Sequence, residues 1–279
     1  MNRAAIKALL PGWALQCYRT LWQKYHNRKM LLSMNPRARR LYELSQLVSY
    51  HGIRLDPVSE AVRAQVEVAA RSIYGEDWNY YSDALRPEIV GGFVESISAC
   101  SNRRAIDYLE IGSCQGLSMS LIGLLLKARG QPQSLVSVDP YFEGGYEEGE
   151  MGPYRTRLRV HIDKKTRSRA FELYRKLGLT VELLEVTSLD GLKTLISAGR
   201  SFDLVYIDGV HEQLWPVIDF GLSFALLRSN GVIILDDHLW PDVEPIKELC
   251  DRTRRRSKKP GRQHRIDSEC FYWRATKHG

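Results

Sequence analysis

The stretch FDLVYIDGVHEQLWPVIDFGLSFALLRSNGVIILDDHLW, residues 202–240, decides the fold. It holds two short apolar runs, Leu204–Ile207 and Val232–Leu235, both rich in β-branched residues. Each is closed by acid: Asp208 after the first, Asp236 and Asp237 after the second. Between them Val217, Phe220, Leu222, Phe224 and Leu227 recur at roughly helical spacing, up to Ser229-Asn230-Gly231, a turn and helix-stop signal. The pattern predicts strand–helix–strand. The runs are too continuously apolar for a sheet with one wet face, so they predict parallel strands covered on both sides. Ligands of such sheets bind at the carboxyl ends of the strands. Asp208, Asp236, Asp237, His211 and His238 are thereby brought to one ligand-binding edge.

Upstream, the same alternation of element types recurs. Arg86-Pro87-Glu88 opens a helix running to about Ala99, with proline at its first position. Ala105–Ile111 is the first strand, and it runs through Gly112-Ser-Cys-Gln-Gly116 into an apolar helix, Leu117–Ala128. Leu135–Val138 is the second strand, closed by Asp139. The segment Phe142–Pro153, rich in glycine and acid and without periodicity, reads as a loop beside a strand end and a lid candidate. A basic helix over His161–Leu177, a third strand at Val181–Val186, a helix starting at Pro245 and a last strand at Cys270–Arg274 complete the reading. The expected fold is α/β, a doubly wound, mostly parallel, Rossmann-like sheet over residues 85–279, preceded by a helical extension over residues 1–84.

The charge of the chain is uneven. The net value is +7, yet residues 1–42 carry nine Lys/Arg and no acid, and residues 252–265 carry eight and no acid. What remains holds 23 basic residues against 33 acidic ones, so an acidic body bears two basic segments. The basic, aromatic stretch 1–29 suits either plain helix packing or a helix lying on an anionic membrane face. No nucleic-acid-binding motif accompanies either segment, and no specific nucleic-acid partner is expected. No apolar run reaches the length of a membrane span, and no signal-peptide pattern is evident. Five scattered cysteines without a CxxC argue against a disulfide framework or structural zinc and for a reducing, cytoplasmic setting.

The glycine loop departs from the dinucleotide fingerprint GxGxxG. Cys114 stands at the second glycine position and Leu117 at the third, where a pyrophosphate would need close backbone approach. Asp139, ending the second strand, is placed to accept from both hydroxyls of a ribose. A nucleoside without phosphate satisfies both facts, and S-adenosylmethionine is such a ligand. The structural alternatives are a tight turn for Gly112 and Gly116 and a helix cap for Asp139.

Four pieces, LEIGSCQGLS at 109–118, VSVDP at 136–140, FDLVYIDGVH at 202–211 and GVIILDDHLW at 231–240, follow one another at strand ends over roughly 105–240. In this order they resemble the class I S-adenosylmethionine-dependent methyltransferases, and among them the metal-dependent sugar O-methyltransferase group. The resemblance implies a cofactor-binding set of Glu110, Gly112, Ser113, Gly116, Ser118, Asp139, Thr187, Ser188 and Asp208. Glu110 would support the methionine amino group, and Thr187 or Ser188 would lie near the adenine. It implies a magnesium site at Asp208, Asp236 and Asp237. The acid that such enzymes often carry two residues after the first metal aspartate is here Val210, so the proton acceptor falls to His211 or else His238, a neutral imidazole being a base near physiological pH. The expected activity is methyl transfer to a hydroxyl of a sugar, glycoside or related small molecule. Magnesium would lower the pKa of that hydroxyl. A metal-independent transferase relying on His211, or a binding protein that keeps the fold without catalysis, are the alternatives. Expected partners besides the hydroxylated acceptor are a membrane surface touched by the basic N-terminus and a second copy of the chain.

Overall fold

The computed structural model describes residues 55–75, 82–100, 104–131, 133–143, 146–150, 157–160, 163–211, 214–236, 242–243, 245–246, 264–265 and 271–274. The expected helices over residues 1–54, most of the helix starting at Pro245 and most of the basic stretch 252–265 lie outside these residues.

Seven strands form one sheet. They are β1 (Ile106–Ile111), β2 (Gln133–Val138), β5 (Glu182–Leu184), β6 (Phe202–Ile207), β7 (Leu227–Leu235), β8 (His264–Arg265) and β9 (Phe271–Arg274), in the order β5-β2-β1-β6-β7-β9-β8. The first five in that order run parallel, β9 adds antiparallel to β7, and β8 closes the edge antiparallel to β9. The expected parallel α/β sheet is therefore present. Strand order reverses at β1, from which the chain goes first to β2 on one side and later to β6 on the other. A ligand crevice opens at such a switch point.

Helices cover both faces, as the continuous apolar runs required. On one face α1 (Pro57–Tyr74), α2 (Pro87–Ala99), α3 (Leu117–Ala128) and α4 (Lys164–Lys176) share a core with Tyr108, Leu204, Tyr206 and Ile234. On the other, α5 (Ser188–Ser197) and α6 (Trp215–Leu226) bury Leu192, Leu195, Phe220 and Leu226 against Leu109, Val136, Val205 and Ile233. Helix α1, within the expected extension, is part of this core: Val66 and Ala70 are 0% exposed. Asp56 starts it, accepting from the Val58 and Ser59 amides at 3.0 Å each, a cap worth about 1 kcal/mol.

Three local differences from the sequence reading have physical causes. The stretch Phe142–Pro153 contains a strand, β3 (Tyr146–Glu150), paired antiparallel with β4 (Arg157–Val160), where an aperiodic loop was expected. Helix α5 was not expected from the sequence although Leu189, Leu192, Leu195 and Ile196 recur at helical spacing, because Gly191 within so short a stretch reads as a break. That glycine is required by packing, since a Cβ there would lie 2.5 Å from Val138 Cγ1. Strand β7 begins at Leu227, before the expected turn. Asn230 does adopt a left-handed φ of +63°, but as an irregularity within the strand: Phe202 pairs with Leu227 and Leu204 already with Val232.

Candidate functional site

The parallel ladder carries the strand ends into register. Gly112 N–H donates to Val138 O (3.0 Å), Asp139 N–H to Leu184 O (3.2 Å), Asp208 N–H to Ile111 O (2.9 Å) and Asp236 N–H to Ile207 O (3.0 Å). One row along the carboxyl edge of the sheet thus holds Asp139, Gly112, Asp208 and Asp236, with the order reversal between Gly112 and Asp208. Gly112 has φ +81°, and a Cβ on it would lie 2.0 Å from Asp208 O. Only glycine fits where two strand ends come this close. Gly116, φ +71°, opens α3, and a Cβ there would meet the Tyr174 hydroxyl at 2.6 Å and its ring at 2.7 Å.

Between these glycines the loop is held by Asp139. Its Oδ2 accepts from the Cys114 amide at 2.9 Å and its Oδ1 from the Tyr141 amide at 3.0 Å. Both donors sit at positive φ, Cys114 at +45° and Tyr141 at +40°, conformations that side-chain-bearing residues adopt only when surroundings impose them. The Tyr141 hydroxyl returns to Cys114 O at 3.0 Å. Asp139 is thus a staple between two strained turns as well as the acid at the β2 end. Each of its oxygens keeps acceptor capacity beyond the one amide. Burial pushes its carboxyl above the ordinary range, against the pull of the amides. Burial likewise pushes the Cys114 thiol up, which removes it as a nucleophile.

Beneath the loop lies Glu110, 0% exposed. Tyr108 donates to its Oε2 and Ser118 to its Oε1 at 2.9 Å. Desolvation raises this carboxyl to about 7, although both hydroxyls favour its charged form. Ser113 pairs with Ser137 at 2.6 Å, so the hydroxyls of Ser113 and Ser118 are both engaged within the protein. Tyr74, at the end of α1, donates to Gln115 O at 2.6 Å and ties that helix to the loop.

Of the two residues at the β5 end, Thr187 turns back on its own helix. Its hydroxyl accepts from Asp190 N at 3.3 Å and donates to Asp190 Oδ2 at 2.7 Å, the bonds of an N-cap. Ser188 instead lies close enough to the Asp219 carboxyl to lower its pKa against the effect of burial, and Asp219 is a residue the sequence reading did not single out. The available signal was one acid inside the apolar helix WPVIDFGLSFAL. Past β6, His211 Nε2 lies 3.6 Å from Asp208 Oδ1. The Tyr206 hydroxyl donates to Asp236 Oδ2 at 2.8 Å. Asp208 and Asp236 therefore end neighbouring strands as expected, while Asp237 and His238 lie outside the described residues. Among the described residues no group of three or more His, Cys, Asp or Glu is arranged to hold a metal.

Several proteins of known structure that share this fold are described as methyltransferases. A family described as a methyltransferase domain matches residues 109–238. The O-methyltransferase NovP superposes with a TM-score of 0.57 at 16% identity, covering 79% of this chain and 100% of its own. Calicheamicin methyltransferase CalS11 gives 0.53 at 11% identity, over 80% and 94% of the two chains. The Podospora anserina methyltransferase PaMTH1, solved with S-adenosylhomocysteine bound, gives 0.52 at 14%, over 85% and 94%. In sequence, the uncharacterized protein R132 of Acanthamoeba polyphaga mimivirus is 23% identical over 147 residues, which is 52% of this chain and 57% of that protein. Residues 109–238 match the family described as a methyltransferase domain, and the chain shares the Rossmann-like α/β fold of these methyltransferases.

Proposed function

We propose that this protein transfers the methyl group of S-adenosylmethionine to a hydroxyl oxygen of a small molecule, a sugar or glycoside being the favoured class. The observation that carries the reading is the row at the sheet edge: Gly112 with no room for a side chain, Asp139 one strand away on one side and Asp208 on the other. A nucleoside with an amino-acid tail matches it. Its ribose hydroxyls would donate to Asp139, and its ammonium would sit near the buried Glu110. The phosphate-binding glycines absent from the loop would not be needed. The O-acceptor is supported by the likeness to NovP, an O-methyltransferase, and the glycoside class by the motif resemblance at 202–211 and 231–240.

In the transfer itself, the acceptor oxygen attacks the methyl carbon. The carbon–sulfur bond breaks with its electron pair going to sulfur, leaving S-adenosylhomocysteine, and the hydroxyl proton must go to a base. His211, at the β6 end, would be that base, a reading supported by the Asp208 carboxylate 3.6 Å from its Nε2, which would stabilise the imidazolium that forms. Magnesium assistance is the finer part of the proposal. Asp208 and Asp236, with Asp237 next in sequence, are hard oxygen ligands, and the dication would acidify the acceptor hydroxyl. Two contacts favour the alternative in which His211 acts without metal: Asp208 faces that histidine, and Asp236 already accepts from Tyr206.

One experiment separates these readings. S-adenosylhomocysteine binding is measured by calorimetry. Dialysed enzyme is then given labelled S-adenosylmethionine and a panel of glycosides, with and without chelator. Binding with label transferred is expected, and transfer lost in chelator and restored by magnesium supports the metal. Full transfer in chelator leaves the histidine mechanism. Absence of binding overturns the cofactor, and binding without transfer to any acceptor favours the non-catalytic reading.

A further inference from the structure

Helix α6 is 12 residues long, and its one charged side chain, Asp219, is buried. A helix on the surface ordinarily carries charge on its outer side. Here the exposed positions are Leu214, at the N-cap, then Val217, Gly221 and Ala225, each about one turn after the last. Leu214 is 70% exposed and Val217 46%. On the neighbouring α5, Ile196 is exposed as well. Scattered apolar residues at a surface are ordinary, but a continuous strip without charge marks a contact face. Gly221 adds a second observation. Among the described residues a Cβ on it would meet nothing within 4 Å, whereas Gly112, Gly116 and Gly191 each need the space. In the middle of a helix glycine is less stable than alanine. Within an exposed apolar strip it admits the close approach of another backbone.

We propose that this face docks a second copy of the chain, α6 packing antiparallel on α6 about a two-fold axis at Gly221. Val217 and Ala225 each stand four residues from that glycine, and the half-buried Ile218 and Phe224 each stand three. In such a pair Val217 of one copy lies over Ala225 of the other, large against small, and Ile218 over Phe224, each contact made twice by symmetry. The strip is thus complementary to itself, as a two-fold interface requires. Charge agrees with this occupant. The exposed charges on α5 are Asp190 and Lys193, one of each sign, so the face is neutral on an acidic body and two copies repel least there. Of the segments outside the described residues, 1–54 lead into α1 on the opposite face of the sheet, and 247–263 is dominated by Lys and Arg, which suits a strip without charge poorly. A strip about 18 Å long and one helix wide falls short of the roughly 800 Å² that each partner gives to a standard interface, so the pair should come apart on dilution.

Sedimentation velocity of the full chain tests this at about 0.1 M salt. The wild-type protein should be mainly dimeric at about 100 μM and monomeric at about 1 μM. Val217→Lys and Ala225→Glu, both at exposed positions, should each weaken the pair by about tenfold or more, because each buries an unpaired charge, and should leave the circular-dichroism spectrum unchanged. The double variant sets an ammonium of each copy against a carboxylate of the other and should regain the dimer. A wild-type protein that is monomeric throughout overturns the proposal, and so does a dimer that both single variants leave intact. Single variants that dissociate, with no recovery in the double variant, overturn the antiparallel register and the proposal with it.

Discussion

At the scale of single residues, space and charge at the strand ends lead to two predictions. Gly112→Ala would place a methyl group 2.0 Å from a backbone oxygen at φ +81°, with no flexible neighbour to yield. It should cost about 3 kcal/mol or more, by urea unfolding, and abolish S-adenosylhomocysteine binding. Gly130 has a similar φ of +64° with nothing within 4 Å, so Gly130→Ala should cost only the conformational penalty of about 1–2 kcal/mol. Equal losses at the two positions would show that the close approach at Gly112 is not what demands glycine. The second prediction concerns Glu110, whose carboxyl is raised from 4.5 to about 7 by burial. Below pH 4.5 it is protonated whether the chain is folded or not. As pH climbs from there to 7 the unfolded chain gives up the proton and the folded protein keeps it, so stability falls across that window. A gap of this size corresponds to about 3 kcal/mol. Glu110→Gln should flatten that part of the decline between pH 5 and 8 in urea titrations. A slope equal to the wild type would mean that Glu110 is not held protonated. The acids at the strand ends were legible in the sequence because each closes an apolar run. Tyr141 and Asp219 were not, because what makes them matter is a backbone angle in one case and a buried approach to the loop at Gly209 in the other.

At the scale of elements, the strands that build the site were legible because parallel strands buried on both faces leave continuous apolar runs. Helix α3 was legible for the same reason, its boundaries at Leu117 and Ala128 being marked by a glycine on one side and Arg129-Gly130 on the other. What escaped were elements whose signal lies elsewhere. The hairpin of β3 and β4 has no alternation. Its register instead sets Glu147 opposite Arg159 and Glu150 opposite Arg157, so the sequence encodes the pairing in complementary charge at facing positions. That changes the expectation for the lid. A paired hairpin can close over a site as a unit, and this one follows in sequence the β2 end, where Asp139 and Tyr141 tie to the glycine loop. Replacing residues 144–160 by a short linker should leave the thermal transition nearly unchanged and lower turnover with a true acceptor by about tenfold or more. Unchanged turnover would make the hairpin a surface insertion without a role in the reaction.

At the scale of the whole molecule, charge is segregated in sequence. The nine basic residues of 1–42 and the eight of 252–265 are attached to a body with ten more acids than bases. Among the described residues no helix is long and apolar enough to cross a membrane. The contact expected from the sequence of the basic segments is electrostatic and superficial. Each basic residue close to an anionic lipid surface contributes about 1 kcal/mol, and that attraction decays within a Debye length. Residues 1–29 hold six of the basic residues together with Trp13, Tyr18 and Trp22, aromatic side chains of the kind that settle at a headgroup boundary. The acidic body would oppose flat adsorption, which leaves the arm as the point of contact. The full chain should therefore sediment with vesicles rich in phosphatidylserine at low salt, remain in solution with neutral vesicles, and be released as salt approaches 0.5 M. Removing residues 1–29 should abolish most of the sedimentation, whereas removing 252–265 alone should only weaken it, because that segment is basic without interleaved aromatics. Binding that is equally weak with and without residues 1–29 would end the membrane reading and leave those residues as helices packed on the protein.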